Sequence, residues 1–450
     1  MIYYYNKIKS IDILDINILF NYTIPNQINT SRKMMKKGKL NLLGTGIALS
    51  LVTSTLLHAT NGDHLISVGA KARGMGGVGI AMSHGAESTL NNPALITKVT
   101  STEISFGGTV FMPDIKTQLN ANPMALPPQT KLTSDADMNM IPEVSLAHKI
   151  TENFYIGIGM WGTAGMGTDY SQGAGIANTL PQGQFNNFDM VTNLQLMQFA
   201  VPLAYKTNGL SIAIAPILQY GNLDINYVMP TGMANPMTAS FGAGLAQDFG
   251  FGYNIGATYD FSNGLVIGAV YKSSIDMEYT NQLSTATAPF GIVLPDGDHL
   301  EQPAEFGIGL AYTMGQHTFA FDYKQIQWSS AKGYQDFGWE DQDVYAFGYE
   351  YTQDNWALRL GYNYAKSAVV ETLNPAINMF NLLGFPATEE QHYTVGGSYA
   401  FNEQFSLDLA YVYAPTSTKT FNVSQLPLGL DSVTTEHSED SLSFQLTYKF

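Results

Sequence analysis

The sequence predicts an all-β fold, a fourteen-stranded antiparallel transmembrane β-barrel plugged by an N-terminal hatch. Three observations predict it. Apolar side chains recur with a period of two in many separate segments, the signature of strands with unlike faces. The connections between those segments alternate between two-residue turns and long loops, as in an outer-membrane barrel. An export signal comes first, and beyond it no uninterrupted apolar run is long enough for a spanning helix.

The export signal is residues 34–59, where Lys36, Lys37 and Lys39 precede an apolar run from Leu40 to Leu57 and a small-residue cut after Ala59. That is the layout of a cleaved secretory signal peptide. Gly44, Gly46, Ser50, Thr53, Ser54 and Thr55 dilute the run, which argues against a retained anchor. Residues 1–33 fit neither element and read as an upstream extension, with Met34 or Met35 as the start. The mature chain then begins near Thr60, with residues 60–100 as the hatch and 101–450 as the barrel.

Composition narrows the class further. The chain has no cysteine, so it has neither a disulfide framework nor a thiolate metal site. Without its first 40 residues, which hold seven basic and two acidic side chains, it carries 14 basic and 35 acidic, a net of −21. Such a polyanion is a poor partner for nucleic acid. Only 13% of residues are charged, against 26 Tyr and 24 Phe, as expected for an exported, aromatic-rich β-protein.

The last ten residues, Ser441 to Phe450, alternate polar and large apolar side chains without a fault, and the same dyad runs through Phe405–Tyr413 and Trp356–Tyr364. Alternation alone fits a soluble sandwich equally well; the connections decide. Strands are expected near 101–112, 143–150, 153–162, 196–206, 209–220, 250–261, 264–281, 302–313, 316–328, 342–352, 354–366, 391–401, 404–415 and 439–450. Turns at Thr151-Glu152, Thr207-Asn208, Ser262-Asn263, Met314-Gly315, Gln353-Asp354 and Asn402-Glu403 alternate with long loops. A barrel this wide cannot fill its bore with side chains, and the segment before the first strand is long enough to fold inward as a plug.

Inside that segment Gly74, Gly76 and Gly79 have the G-x-G-x-x-G spacing of a dinucleotide turn. They lack the preceding strand and the following acid that such a turn needs. They read instead as letting the plug turn tightly in a confined lumen. Pro93 then holds Asn92 extended as the chain leaves for the first strand.

With Asn61-Gly62, the GAKARGMGGVG run and Asn92-Pro93-Ala94, the N-terminal block resembles the FadL-type long-chain fatty-acid transporters of bacterial outer membranes, which include toluene- and xylene-uptake porins. The resemblance implies a hatch-plugged monomeric barrel in the outer membrane, taking up hydrophobic small molecules passively with no cofactor. It implies Gly74, Gly76, Gly79, Asn92, Pro93 and Ala94 in the hatch, a ligand pocket near the hatch N-terminus, and lateral exit at an irregular third strand. There Gly157, Gly159 and Gly162 weaken pairing and permit a bulge, or merely relieve crowding.

A capture surface is expected in two long loops. Asn235-Pro236 reads as a helix cap followed by Met237, Phe241 and Leu245 at helical spacing; the next loop offers Phe290, Ile292, Val293 and Leu294. These residues either pack on one another or receive an apolar ligand. A fatty-acid carboxylate would need a cation, and Arg73, Lys272, Lys324 and Arg359 are the candidates. Glu350 across the hairpin is a partner for Arg359, and Asp322 on the same strand face is one for Lys324. No nucleophile elbow, zinc pair or phosphate loop is present, and Asp296 to Glu301 lacks the spacing of a calcium loop, so neither catalysis nor a metal is expected. Three readings stay open: a hatch-gated transporter of fatty acids or aromatic hydrocarbons, a nonselective porin, and a structural or adhesive barrel.

Overall fold

The computed structural model describes residues 61–171, 186–230 and 238–450. The upstream extension, the signal peptide, Thr60, Asn235-Pro236 and Met237 lie outside them. Within them the chain forms one closed antiparallel sheet. Its staves are β1 (Thr102–Ala121), β2 (Asn139–Lys149), β3 (Phe154–Met166), β4 (Val191–Ala200 continued by Leu203–Thr207), β5 (Leu210–Pro230), β6 (Ala246–Asp260) and β7 (Leu265–Lys272). The second half supplies β8 (Glu305–Met314), β9 (His317–Ile326), β10 (Gln342–Gln353), β11 (Trp356–Ala365), β12 (Gln391–Ala400), β13 (Phe405–Asn422) and β14 (Leu430–Lys449). Two short strands, Leu132–Thr133 and Thr238–Gly242, pair onto β1 and β5 outside the ring. β1 pairs with β2 on one side and β14 on the other, so no edge is left for lipid to meet unpaired.

Burial settles which face is which. In β14 Ser441, Ser443, Gln445 and Thr447 are buried while Leu442, Phe444, Leu446 and Tyr448 are exposed. Apolar out and polar in is the arrangement of a barrel in lipid, and it excludes the soluble sandwich that shares the same period. β1, β5, β13 and β14 run past the expected spans on the long-loop side. The extra residues of β13 and β14 are rich in Thr and Ser, so there the apolar period that marks bilayer depth stops before the hydrogen-bonded ladder does. β7 is shorter than expected and stops at Lys272.

Residues 61–100 lie against the inward faces of the staves. A single helical turn, α1 (Ala70–Arg73), is followed by two 3-10 turns, Gly85–Thr89 and Pro93–Lys98. Polar side chains from around the ring hold the segment by its backbone. Glu143 of β2 accepts from Gly69 N (2.9 Å), Thr394 of β12 accepts from Gly76 N (2.9 Å), and Asn363 of β11 donates to Gly76 O (3.0 Å). Asp322 of β9 accepts from Gly79 N at 2.7 Å and Ile80 N at 2.9 Å.

The glycines work differently from the sequence expectation. Only Gly76 of the three has a left-handed backbone (φ +69°); Gly74 is right-handed helical. What all three share is close approach. A Cβ on Gly74 would sit 2.9 Å from Gly396 Cα, and one on the wall residue Gly361 would sit 2.0 Å from Gly76 N. Asn92 is extended, as the following proline requires, but the chain does not run straight into β1: Asn92 Oδ1 accepts from Ala94 N at 3.0 Å and caps the second 3-10 turn. Its Nδ2 donates to Ile80 O at 2.7 Å and reaches Ala257 O and Ala269 O of β6 and β7, pinning hatch to wall.

Candidate functional site

β3 is irregular. It pairs with β2 only as far as Trp161 opposite Glu143, although β2 continues to Asn139 against β1. Its register against β4 shifts between Gly162 and Ala164, so Thr163 is the bulged residue. Beyond Trp161 the strand loses its in-out alternation, with Gly162, Ala164, Gly165 and Met166 all buried. The upper part of β3 has therefore turned into the lumen and parted from β2. The three flagged glycines flank this irregularity: Gly157 meets Pro202, Gly159 lies beneath the Trp161 ring, and Gly162 packs on Ile141. Pro202, which has no N–H for a ladder bond, sits at the break between the two halves of β4.

Behind the gap lies a cavity of about 60 Å³ lined by the hatch residues His64 to Val68, Thr163, and the wall residues Lys272, Glu305, Lys324 and Ile326. Ordinary ligand sites are several hundred cubic ångströms, so this cavity as it stands is too small to be one. Two of the four candidate cations meet here. Lys272 Nζ is 3.1 Å from Glu305 Oε2, whereas Lys324 Nζ has Ile66 O at 3.4 Å and, among the described residues, no carboxylate within 4 Å. Asp322 is not paired with Lys324: no ion pair within 4 Å joins the two, and Asp322 Oδ2 accepts from both the Gly79 and Ile80 amides. His64 Nδ1 lies 3.7 Å from Glu305 Oε1. Burial pushes the neighbouring Asp63 carboxyl above the ordinary Asp range, and drives His84, deeper in the hatch, down to about 3.

The other two cations lie elsewhere. Arg73 is buried and donates from Nε to Ser67 O at 3.1 Å within the hatch. Arg359 donates to Glu350 Oε2 at 2.7 Å and to Ser398, with Asp408 at 3.7 Å, the lumenal ion pair its strand position predicts. Arg359→Met should remove about 3 kcal/mol of barrel stability, the low end for breaking a buried pair, by leaving the largely buried Glu350 carboxylate without its partner, read as a lower urea midpoint.

The capture loops take a different form from the one expected. Thr238–Gly242 is a strand paired with Asn226–Pro230, where a helix was expected. Thr238 and Phe241 favour a pleated surface, Gly242 and Gly244 end it, and the long β5 supplies a partner that helical spacing cannot reveal. Phe241 stacks on Tyr227 at 5.2 Å, and Phe290 lies edge-on to Phe380 at 5.3 Å. Phe290, Ile292 and Leu294 pack against the core of the outer loops, while Leu245 stays 56% exposed and outside it. Sequence reasoning also missed α2 (Gln282–Thr287) and α3 (Pro375–Leu383). α3 has Ala376 to Leu383 all buried, and its terminal carbonyls accept from Thr168, Thr192 and Thr435. The signal for α3 was present in Asn374-Pro375, an N-cap and N1 pair ahead of an apolar run.

Comparison with known proteins places this architecture. Residues 60–450 match the family model described as outer membrane protein transport protein (OMPP1/FadL/TodX). The 47 kDa outer membrane protein of Pasteurella multocida (strain Pm70) is 23% identical over 406 residues, spanning 82% of this chain and 89% of that one. Among solved structures, a Pseudomonas aeruginosa FadL homologue superposes with a TM-score of 0.66 at 15% identity, covering 86% of this chain and 100% of its own. The Pseudomonas putida toluene transporter TodX gives 0.63 at 18% identity, covering 88% and 100%. At these identities the structural likeness is one of fold.

Proposed function

We propose a specific role from one premise: the chain belongs to the OMPP1/FadL/TodX family of outer membrane transport proteins. It is an outer-membrane transporter of hydrophobic compounds. The substrate class we infer is the long-chain fatty acid, entering through the apolar outer loops, resting against the hatch N-terminus, and leaving sideways between β2 and β3. Passive flow suffices, since the hatch and the wall need only move apart.

Lys324 carries the fatty-acid reading. An ammonium at the cavity wall with one long backbone contact has unused donors, and a carboxylate in the enlarged cavity would complete them. Lys272 is less available because Glu305 already holds it. The sideways path is supported by the lost β2–β3 pairing beside the cavity. The printed activity of TodX, toluene transport, supports the alternative of an aromatic hydrocarbon, which would need no cation.

One variant separates these. Lys324→Gln should weaken saturable oleate binding about tenfold, the worth of one charge-assisted hydrogen bond, and leave toluene binding unchanged. Unchanged oleate affinity would sink the carboxylate site. Large steady conductance in planar bilayers with no saturable binding would point to a general porin instead.

A further inference from the structure

The first turn of the hatch, Asn61 to His64, is held from two sides. Below, it replaces the partner that β3 has lost: Leu65 N donates to Thr163 O at 3.1 Å and Gly165 N donates to Asp63 O at 3.0 Å, with His64 opposite Ala164. The hatch is thus a short strand added to β3 on the side that β2 has left, with Leu65 packed on Ile141 of β2. Above, the turn is seated in the loop joining β9 to β10. Trp328, Tyr334 and Trp339 pack as a box with ring centres 4.7 to 5.0 Å apart, and Gly62 lies so close to Trp328 that a Cβ would fall 2.4 Å from its ring. The Asp63 carboxylate, fully buried, accepts from the Tyr334 hydroxyl and from Gln302 Nε2 at 2.8 Å.

The same loop is tied to the outer cap. Asn381 of α3 donates to Phe337 O at 2.9 Å, and Trp339 Nε1 donates to Asn381 Oδ1 at 3.3 Å. A continuous set of contacts therefore runs from α3, which is buried in the core of the outer loops, through Trp339 and Tyr334 to Asp63, and on to the backbone of β3. His64, Leu65 and Ile66 in that path also line the cavity.

We propose that Tyr334 and Gln302 are positioning residues that latch Asp63, and that displacement of α3 by entering ligand releases the latch and so frees the side opening. Outer and lateral gates are in this way linked: while the cap is seated, the hatch strand stays across the gap. The inference rests on the lateral-exit reading above, but the latch can be tested without any substrate.

The protein has no cysteine, so a His64→Cys variant carries a single thiol. Its rate of reaction with a small maleimide, on protein in detergent, reports how often the turn leaves its seat. Tyr334→Phe keeps the ring and removes the hydroxyl that donates to Asp63, along with its long contact to Gln302 Nε2 at 3.4 Å. It should raise the labelling rate about tenfold, as loss of one hydrogen bond to a buried carboxylate implies. Asn381→Ala, which touches neither Asp63 nor β3, should raise it as well. A labelling rate unmoved by both variants would overturn the latch. Heat-modifiable migration in SDS must be retained, so that a faster rate reports undocking and not a failed fold. A second arm tests the consequence for transport. His64 and Ala164 are bridge partners, about 4.5–5.5 Å apart at Cα, within disulfide reach. Oxidised His64→Cys/Ala164→Cys should stop oleate uptake into proteoliposomes, and reductant should restore it. Normal uptake by the oxidised pair would overturn the link between latch and opening. Absence of oleate uptake in the unmodified protein would overturn the substrate reading while leaving the labelling result to judge the latch.

Discussion

Deleting residues 60–100 is expected to abolish selective, saturable uptake while leaving a barrel that still inserts. The ring does not depend on the hatch for its ladder: β1 meets β14 in unbroken register from Glu103 opposite Lys449 to Asn120 opposite Ser432. What the deletion removes is the filling of a bore that fourteen strands cannot fill themselves. Glu143, Asp322, Asn363 and Thr394 would exchange hatch amides for water, a neutral trade at the wall of a wet lumen. Conductance in planar bilayers should develop, and oleate uptake should no longer saturate. Selective uptake surviving the deletion would refute the hatch as the element that discriminates.

Gly76→Ala is the smallest change expected to have a comparable effect. The residue sits at φ +69°, where an L side chain costs about 1–2 kcal/mol. Its Cβ would also lie 2.6 Å from Phe347 O and Tyr362 O and 2.7 Å from Tyr362 N, all backbone atoms of ladder-bonded strands that cannot move aside. The hatch has to lift, losing its bonds to Thr394 and Asn363. Gly361→Ala should do the same from the wall, since its Cβ would meet Gly76 N at 2.0 Å. Both variants should become leaky and should expose the hatch to protease. Gly291→Ala is the control: it shares a positive φ of 67°, but a Cβ there meets nothing within 4 Å, so backbone strain alone is tested. A tight, protease-resistant Gly76→Ala protein would show that the close approach is not required.

These expectations show where the sequence was legible. The staves could be read because lipid and lumen impose a period of two, and the short turns because they are only two or four residues long. Strand ends on the outer side could not, since above the bilayer nothing forces apolar residues outward. The hatch glycines stood out, but their partners Gly361 and Gly396 did not, because which wall residues face a given hatch residue depends on ring closure. The pairing of Arg359 with Glu350 followed from hairpin register. Lys324 was legible only as a lumen-facing cation; that Asp322 would turn to the hatch amides and leave it without a carboxylate needed the third dimension. Thr163, the bulged residue, carried no signal of its own. The strand at 238–242 was misread because helical spacing of Phe241 and Leu245 says nothing of a waiting edge on β5.

The seam between β1 and β14 also bears on how the protein is made. It joins Glu103 to Lys449, 346 residues apart in the sequence, so the contact that closes the ring is the one with the highest loop-closure cost. The hatch precedes the ring in the sequence, yet its anchors sit on β2, β6, β7, β9, β11 and β12, and it has no complete seat until most of the ring has formed. Biogenesis therefore carries a long interval in which an aromatic-rich chain is in water with its first strand unpaired. Until the seam closes, that unpaired edge is open to aggregation, and its closure removes both edges of the sheet at once.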